Sequence, residues 1–271
     1  NERAQAVDFS RVRELDLLNL GRFHRQSIVL SAHRMPALAA LCKQRCHNTS
    51  GVLRVRRRSY SGSIQSVVPK VRQIFRRIDC SSLASADDDR FDFFVRNMFP
   101  RLRRICRGLD AEEEHMFARE SEQGTIIFVP SYFDFLRLRN LFVSDGLDPA
   151  LCCEYTQPKD QTRNRSMFFH GRKRIMLYTE RNHFYHRFRI RGARHIIFYG
   201  PPAHAQFYPD MLNVLSTSGS KMSAAGDSAA DPSVTILFTK FDALRTERIV
   251  GTDRVKRMVK GKGGKNTYLF K

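Results

Sequence analysis

Five short apolar runs in the second half of the chain constrain its fold more than any other feature. They cover 125–129, 151–155, 175–179, 195–199 and 234–239, and Ile175-Met176-Leu177-Tyr178 and His195-Ile196-Ile197-Phe198-Tyr199 show the pattern most clearly. Each is short and ends at a breaker or a polar residue, which is how strands buried on both faces of a parallel sheet read. The segments between them can form helices, the clearest being 133–142 with Phe135, Leu136, Leu138, Leu141 and Phe142. Strand and helix alternating at this spacing predict an α/β fold, a doubly wound parallel sheet with right-handed crossovers.

The densest charge of the chain surrounds the third and fourth runs. Residues 163–202 hold Arg163, Arg165, Arg172, Lys173, Arg174, Arg181, Arg187, Arg189, Arg191 and Arg194 against a single acid, Glu180. A core strand, a basic and aromatic crossover and a second core strand can hold a polyanion at a sheet's carboxyl ends. All of these except Arg194 are the candidate RNA contacts. A solvated charged face is the weaker alternative, because so many like charges repel unless an anion lies near. The whole chain of 271 residues carries a formal charge of +20 and a pI near 10.3, which points to nucleic acid or an anionic membrane surface. No apolar run approaches the roughly 20 residues that span a bilayer, and no signal-peptide pattern is present. Membrane binding is therefore the weaker partner class. The 42% hydrophobic fraction suffices for a core. The chain starts at Asn1 and not at Met, which predicts a piece of a longer protein.

Cys42, Cys46, Cys80, Cys106, Cys152 and Cys153 suggest no disulfide framework in a chain of this length. Cys42, Cys46 and His47 superficially resemble half a zinc site, but no second pair lies at finger spacing. One turn of helix, with ordinary packing, accounts for them. The expectation is a reducing, intracellular protein with no metal and no cofactor.

Earlier in the chain, 26–32 reads as a short buried strand, Pro36 opens a helix, and 51–56 alternates apolar and basic residues as a half-buried strand. The Ser-rich 59–63 is a candidate linker. Residues 64–78 and 88–107 both carry apolar residues near helical spacing and predict two amphipathic helices. Between them, 81–89 reads as polar loop. Arg101, Arg103, Arg104 and Arg107 suit either RNA or the negative end of a helix closing at Gly108. Residues 216–233 read as a flexible insertion, 241–260 as a basic helix and 261–265 as a mobile tail.

The order of these pieces resembles the DEAD-box RNA helicases. Residues 26–32 look like the strand and Ser-Ala-Thr motif closing their first RecA-like lobe, with His33 in place of Thr. Ile126-Ile127-Phe128-Val129 looks like the first strand of the second lobe. Leu177-Tyr178-Thr179-Glu180 stands where that lobe has Thr-Asp, and 196–202 where its next strand and Pro lie. The wording is closer to one divergent branch. Residues 128–135 (Phe-Val-Pro-Ser-Tyr-Phe-Asp-Phe), 169–173 (Phe-His-Gly-Arg-Lys), 178–181 (Tyr-Thr-Glu-Arg) and 189–192 (Arg-Ile-Arg-Gly) resemble the digestive-organ-expansion-factor family (Def). That resemblance covers nearly the whole chain. It implies a nucleolar component of the small-subunit processome, working with pre-rRNA, snoRNA ribonucleoprotein and other processome proteins. It divides the chain into 1–60, the C-terminal part of a first RecA-like lobe, and 61–271, a complete second lobe.

The departures from the helicase pattern bear on mechanism. A working lobe carries an Arg-Gly-x-Asp step after Thr-Asp and a His-Arg-x-Gly-Arg-x-Gly-Arg helix. Arginine fingers of that kind contribute roughly 10³ to 10⁵ in rate where measured. Here the matching region is Phe207-Tyr208-Pro209-Asp210-Met211-Leu212-Asn213-Val214-Leu215, without an arginine. No Gly-x4-Gly-Lys-Ser/Thr loop is present, and Gly261-Lys262-Gly263-Gly264-Lys265 lacks a preceding core strand. His170, His183, His186, His195 and His204 form no His-Glu-x-x-His pair. Asp87-Asp88-Asp89 and Glu112-Glu113-Glu114 read as solvated loops, and no nucleophile elbow or Cys-His pair stands out.

Three function classes follow. The first is a catalytically inactive, helicase-like scaffold that binds RNA and protein and takes no small-molecule substrate. The second is an active ATP-dependent RNA helicase whose nucleotide loop lies upstream. The third is a protein-interaction module whose basic surface meets acidic partners.

Overall fold

The structure, a computed structural model, describes residues 13–32, 35–55, 57–107, 124–219, 232–260 and 266–270, without the side chains of Leu15 and 216–219. His33, Glu112-Glu113-Glu114, the tail at 261–265 and 220–231 of the expected insertion lie outside these residues. The chain divides into two compact units, Asn1–Arg58 and Ser59–Lys271.

In the first unit, a single turn, α1 (Glu14–Leu17), is followed by a 3-10 turn at Leu20–Phe23 and by α2 (Pro36–Arg45). Pro36 opens α2 as expected, since its ring presets the first helical φ and it lacks an N–H that would be unpaired anyway. Cys42 and Cys46 lie one turn apart, the Cys46 N–H donating to the Cys42 carbonyl at 3.2 Å. The expected strands at 26–32 and 51–56 are not formed among the described residues. Ile28, Leu30, Val52, Leu53 and Val55 are all exposed, Leu30 to 89%. An apolar run becomes a strand only beside a partner strand and a face to bury, and the described residues of this unit offer neither.

The second unit is a doubly wound, mostly parallel sheet. Its strands are β1 (Arg72–Ile78), β2 (Gly124–Val129), β3 (Ala150–Cys152), β4 (Ile175–Thr179), β5 (Ala193–Phe198), β6 (Ser233–Thr239) and β7 (Thr267–Phe270), in the order β3-β4-β2-β5-β6-β1-β7. Every neighbouring pair is parallel except β1 with β7. Five strands stand where apolar runs predicted them. Their side chains alternate between two cores: Ile126 and Phe128 of β2, with Met176 and Tyr178 of β4, face one layer, and Ile127, Val129, Ile175 and Leu177 face the other. Helices α3 (Ala86–Asn97), α4 (Phe99–Arg107) and α5 (Tyr132–Ser144) cover the second face. Helices α6 (Pro158–Phe169), α7 (Glu180–His186), α8 (Phe207–Gly219), α9 (Ala243–Val250) and α10 (Thr252–Lys260) lie over the first.

Several local expectations are corrected. Residues 64–78 are not a helix; a 3-10 turn at Ser63–Ser66 leads into β1, which pairs with β6 along its full length. The expected helix at 88–107 is two, α3 and α4, parted at Met98 just before Phe99-Pro100, where a proline fits only in a first turn. Asp87, Asp88 and Asp89 are the first turn of α3, where a helix dipole favours carboxylates, and not a loop. The helix at 241–260 breaks at Gly251, whose φ of +96° suits glycine. Its Cβ would also meet the Tyr60 carbonyl at 2.9 Å. The candidate linker at 59–63 is pinned there, since the Thr252 N–H donates to the Tyr60 carbonyl at 3.1 Å. Ser131 sits at the N-cap of α5 without a side-chain capping bond, and Phe133 of that helix is 82% exposed. Phe135 and Leu138 of the same helix are buried as expected.

Candidate nucleic-acid interface

In a parallel sheet each crossover helix runs back from the carboxyl edge to the amino edge, so a residue's place along the chain fixes its edge. Arg172, Lys173 and Arg174 immediately precede β4, and Arg191 immediately precedes Gly192 and β5. These four therefore stand at the amino edge of the sheet, not at the carboxyl ends expected from the sequence. Arg163 and Arg165 lie mid-way along α6. Arg181 alone begins at the carboxyl edge, in the first turn of α7.

Their chemistry differs as much as their positions. Lys173 pairs with Asp148 at 2.7 Å, and Arg174 donates to the Ile105 carbonyl at 3.0 Å, fastening β4 to the end of α4. Arg165 lies over the Phe188 ring at 3.9 Å. Arg187 pairs with Asp210 at 2.8 Å and covers the Phe207 ring at 4.5 Å. It takes a left-handed φ of +48° at the end of α7, a conformation that its neighbours must hold in place. Arg181 is exposed above Tyr185. Arg163, Arg172, Arg189 and Arg191 are exposed, and among the described residues no carboxylate pairs with them. On α4, Arg103 and Arg107 both reach Asp145, at 2.9 and 3.4 Å, which favours their structural reading.

The carboxyl edge is rich in carboxylates. Thr179, at the end of β4, caps α7 by accepting the Asn182 N–H at 3.3 Å and donates its hydroxyl to Glu154 at 2.8 Å. Glu180, the first residue of α7, is buried. Its two oxygens accept the N–H groups of Ala203 and His204, each at 3.1 Å. Burial holds its carboxyl above the ordinary carboxylate range, and the two N–H groups offset part of that. Glu180 thus ties the β4 loop to the loop after β5, a fastening role that spacing alone did not reveal. Beside it, a cleft of about 420 Å³ is lined by Arg90, Pro130, Ser131, Asp134, Gly200 and Asp242 among others. Burial raises the Asp134 carboxyl, with Arg90 opposing.

A second cleft, of about 490 Å³, opens between α7 and α8 beside Arg187, Arg189 and Asp210. His183 lines it but belongs to the core, packed among Phe128, Tyr178 and Phe207, with its Nδ1 3.2 Å from the Tyr178 hydroxyl. Burial first, and Arg187 second, pull its pKa down to about 4. The helix α8 buries Phe207, Tyr208, Met211, Leu212 and Leu215 against the sheet. Among the described residues no group of three His, Cys, Asp or Glu side chains could hold a metal ion. No described helix is long and apolar enough to cross a membrane.

Residues 63–270 match the family model described as the Utp25 C-terminal domain. The chain belongs to the Utp25 family. This is the family that the digestive-organ-expansion-factor resemblance pointed to. A second Utp25 model, described as an NTP hydrolase-like domain, matches residues 1–53. Among Utp25 relatives, the human U3 small nucleolar RNA-associated protein 25 homolog is 36% identical over 267 residues, 98% of this chain and 32% of that protein. Protein NUCLEOLAR FACTOR 1 of Arabidopsis thaliana is 35% identical over 99% of this chain and 32% of its own length. The chain thus spans about a third of the curated Utp25 relatives it matches. Solved structures of similar architecture include the C-terminal domain of the DEAD-box protein Dbp5, with 17% identity, 62% of this chain and 76% of that one covered, and a TM-score of 0.37. Saccharomyces cerevisiae Dbp5 bound to RNA and ADP BeF3 has 16% identity, coverage of 90% and 57%, and a TM-score of 0.43. The strand order, and not these likenesses, defines the fold of the Utp25 domain.

Proposed function

We propose that this chain is part of a non-catalytic, helicase-like scaffold that binds RNA and protein in the small-subunit processome of the nucleolus, serving pre-rRNA processing. The observation that carries this is 36% identity across nearly the whole chain to a protein named for the U3 small nucleolar RNA. In this reading 1–60 is the end of a first RecA-like lobe and 61–271 the second, a divergent relative of DEAD-box lobes. RNA phosphates, snoRNA ribonucleoprotein and other processome proteins are the partners. Support for inactivity comes from α8, whose sheet-facing side is apolar and aromatic and which has no arginine to place beside a nucleotide. Of the nine candidates Arg163, Arg165, Arg172, Lys173, Arg174, Arg181, Arg187, Arg189 and Arg191, the RNA contacts in this reading are Arg163, Arg172, Arg189 and Arg191, which are exposed and meet no carboxylate among the described residues.

The NTP hydrolase-like description of 1–53 favours a second reading, in which the full-length protein turns over ATP. RNA-stimulated ATP hydrolysis by the full-length protein separates the two. A rate at background supports the scaffold. Turnover that requires RNA and is lost on mutating a residue of this chain overturns it.

A further inference from the structure

We propose that the amino edge of the sheet is a platform for single-stranded RNA, on which Arg172, Arg189 and Arg191 hold phosphates and Phe169 and His170 stack a base. This rests on the RNA-binding reading above and assigns it to one edge of the domain.

Two loops converge there. The loop from α6 to β4 carries Phe169, His170 and Arg172, and the loop from α7 to β5 carries Arg189 and Arg191. They touch at Gly192, where a Cβ would lie 3.2 Å from the Phe169 Cα. The φ of +90° at Gly192 also disfavours any larger residue, so glycine is what lets the two backbones meet. Burial alternates along the second loop: Phe188 is half-buried and Ile190 buried, while Arg189 and Arg191 are both exposed. The buried Ile190 anchors the loop and the two arginines are left on its outer side. In the first loop Arg172 is exposed and Phe169 is 53% exposed, its ring edge-on to His170 at 5.2 Å.

The neighbouring cations are committed to the fold, which separates scaffold from surface. Lys173 is paired with Asp148, Arg174 with the Ile105 carbonyl, Arg187 with Asp210, and Arg165 with the Phe188 ring. Arg172, Arg189 and Arg191 have no carboxylate partner among the described residues. Exposed planar cations beside an exposed aromatic ring form the combination that binds single strands: phosphates meet the cations and an unpaired base stacks on the ring. A duplex keeps its bases stacked on each other and would leave Phe169 unused. An acidic peptide would meet the arginines but offers nothing to the ring.

The test is fluorescence anisotropy with the whole chain, so that competition from its own carboxylates, Glu112-Glu113-Glu114 included, is part of the measurement. The probes are a labelled oligouridine and a duplex RNA of equal length, each across a salt series. Arg172→Ala with Arg191→Ala should lower the salt slope for oligouridine by about 1.4, two contacts at roughly 0.7 each. Arg172→Lys with Arg191→Lys should keep the slope. Phe169→Ala should weaken oligouridine binding by roughly 5- to 150-fold at unchanged slope. Arg181→Ala, at the opposite edge, should bind as the parent does. Loss of binding with Arg181→Ala but not with the amino-edge pair would overturn this placement and leave RNA binding standing. Tighter binding to the duplex, with no effect of Phe169→Ala, would overturn the single-strand assignment. Failure of the parent chain to bind either RNA, with binding to polyglutamate or anionic vesicles instead, would overturn both.

Discussion

The Arg90 guanidinium donates to the Asp242 carboxylate at 2.9 Å, joining α3 to the turn after β6 across 152 residues of chain. Arg90 is 8% exposed, and Asp242 also accepts the Thr239 N–H and hydroxyl, each at 2.9 Å. Removing Asp242 would leave Arg90 with the exposed Asp87 alone, at 3.0 Å, so the cost falls at the low end of that for breaking a buried pair, about 3 kcal/mol. Asp242→Ala should therefore lower unfolding free energy by about that much, and Asp242→Asn by less, because one acceptor oxygen remains. Urea denaturation measures both. A cost near zero for Asp242→Ala would mean that water screens the pair.

His183 makes stability sensitive to acid. Its pKa of about 4 lies below the ordinary 6.5, so between these values the unfolded chain binds more protons than the folded one. Stability should rise with pH through this window and be lost as pH falls from 6.5 toward 4, by up to about 3 kcal/mol. His183→Phe, placed among Phe128, Tyr178 and Phe207, should flatten this dependence. Urea midpoints measured across the window for both proteins check the prediction. Parallel curves would show that other groups set the slope.

Thr179 and Ser131 are the N-caps of the helices that follow β4 and β2, yet of the two only Thr179 caps its helix with its side chain. Thr179→Ala should cost about 1–2 kcal/mol, through the lost cap and the Glu154 oxygen left without its donor. Ser131→Ala should stay within about 0.5 kcal/mol of the parent. Thermal unfolding of the two variants side by side distinguishes them, and equal losses would contradict the assignment.

Phe133 and Phe135 separate surface from core on one helix. Phe135→Ala should destabilise by about 3–5 kcal/mol, because it empties a buried site. Phe133→Ala should change unfolding free energy by no more than about 0.5 kcal/mol. Soluble yield and calorimetry read both effects. A stable, soluble Phe135→Ala protein would move that ring out of the core.

The runs Thr125–Val129 and Ile175–Thr179 were legible in the sequence because strands buried on both faces tolerate only apolar residues, a demand that is local and continuous. Family wording such as Arg189-Ile190-Arg191-Gly192 was legible for a different reason: it records a close packing of loops, seen here where Gly192 meets Phe169. Strand β1 was not legible. Val71, Ile74, Phe75 and Ile78 fit a helix as well as a strand, and the choice was made by hydrogen bonds to β6, more than 150 residues away. Gln73 is buried there only because the Tyr208 hydroxyl donates to it at 2.6 Å. Strand β7 depends in turn on β1, since it has no other neighbour among the described residues.

By itself the sequence determined the alternating α/β pattern, the excess of cations and the absence of arginine from 204–216, because each is a property of neighbouring residues. The tertiary structure alone decided which cations are spent on the fold and which are left exposed without a carboxylate among the described residues. Arg187 finds Asp210, Lys173 finds Asp148 and Arg174 finds the Ile105 carbonyl through folding, whereas Arg172, Arg189 and Arg191 find no such group among the described residues. Composition counts charges; only the packing of loops and helices fixes the distances over which they act, and electrostatic energy depends on those distances.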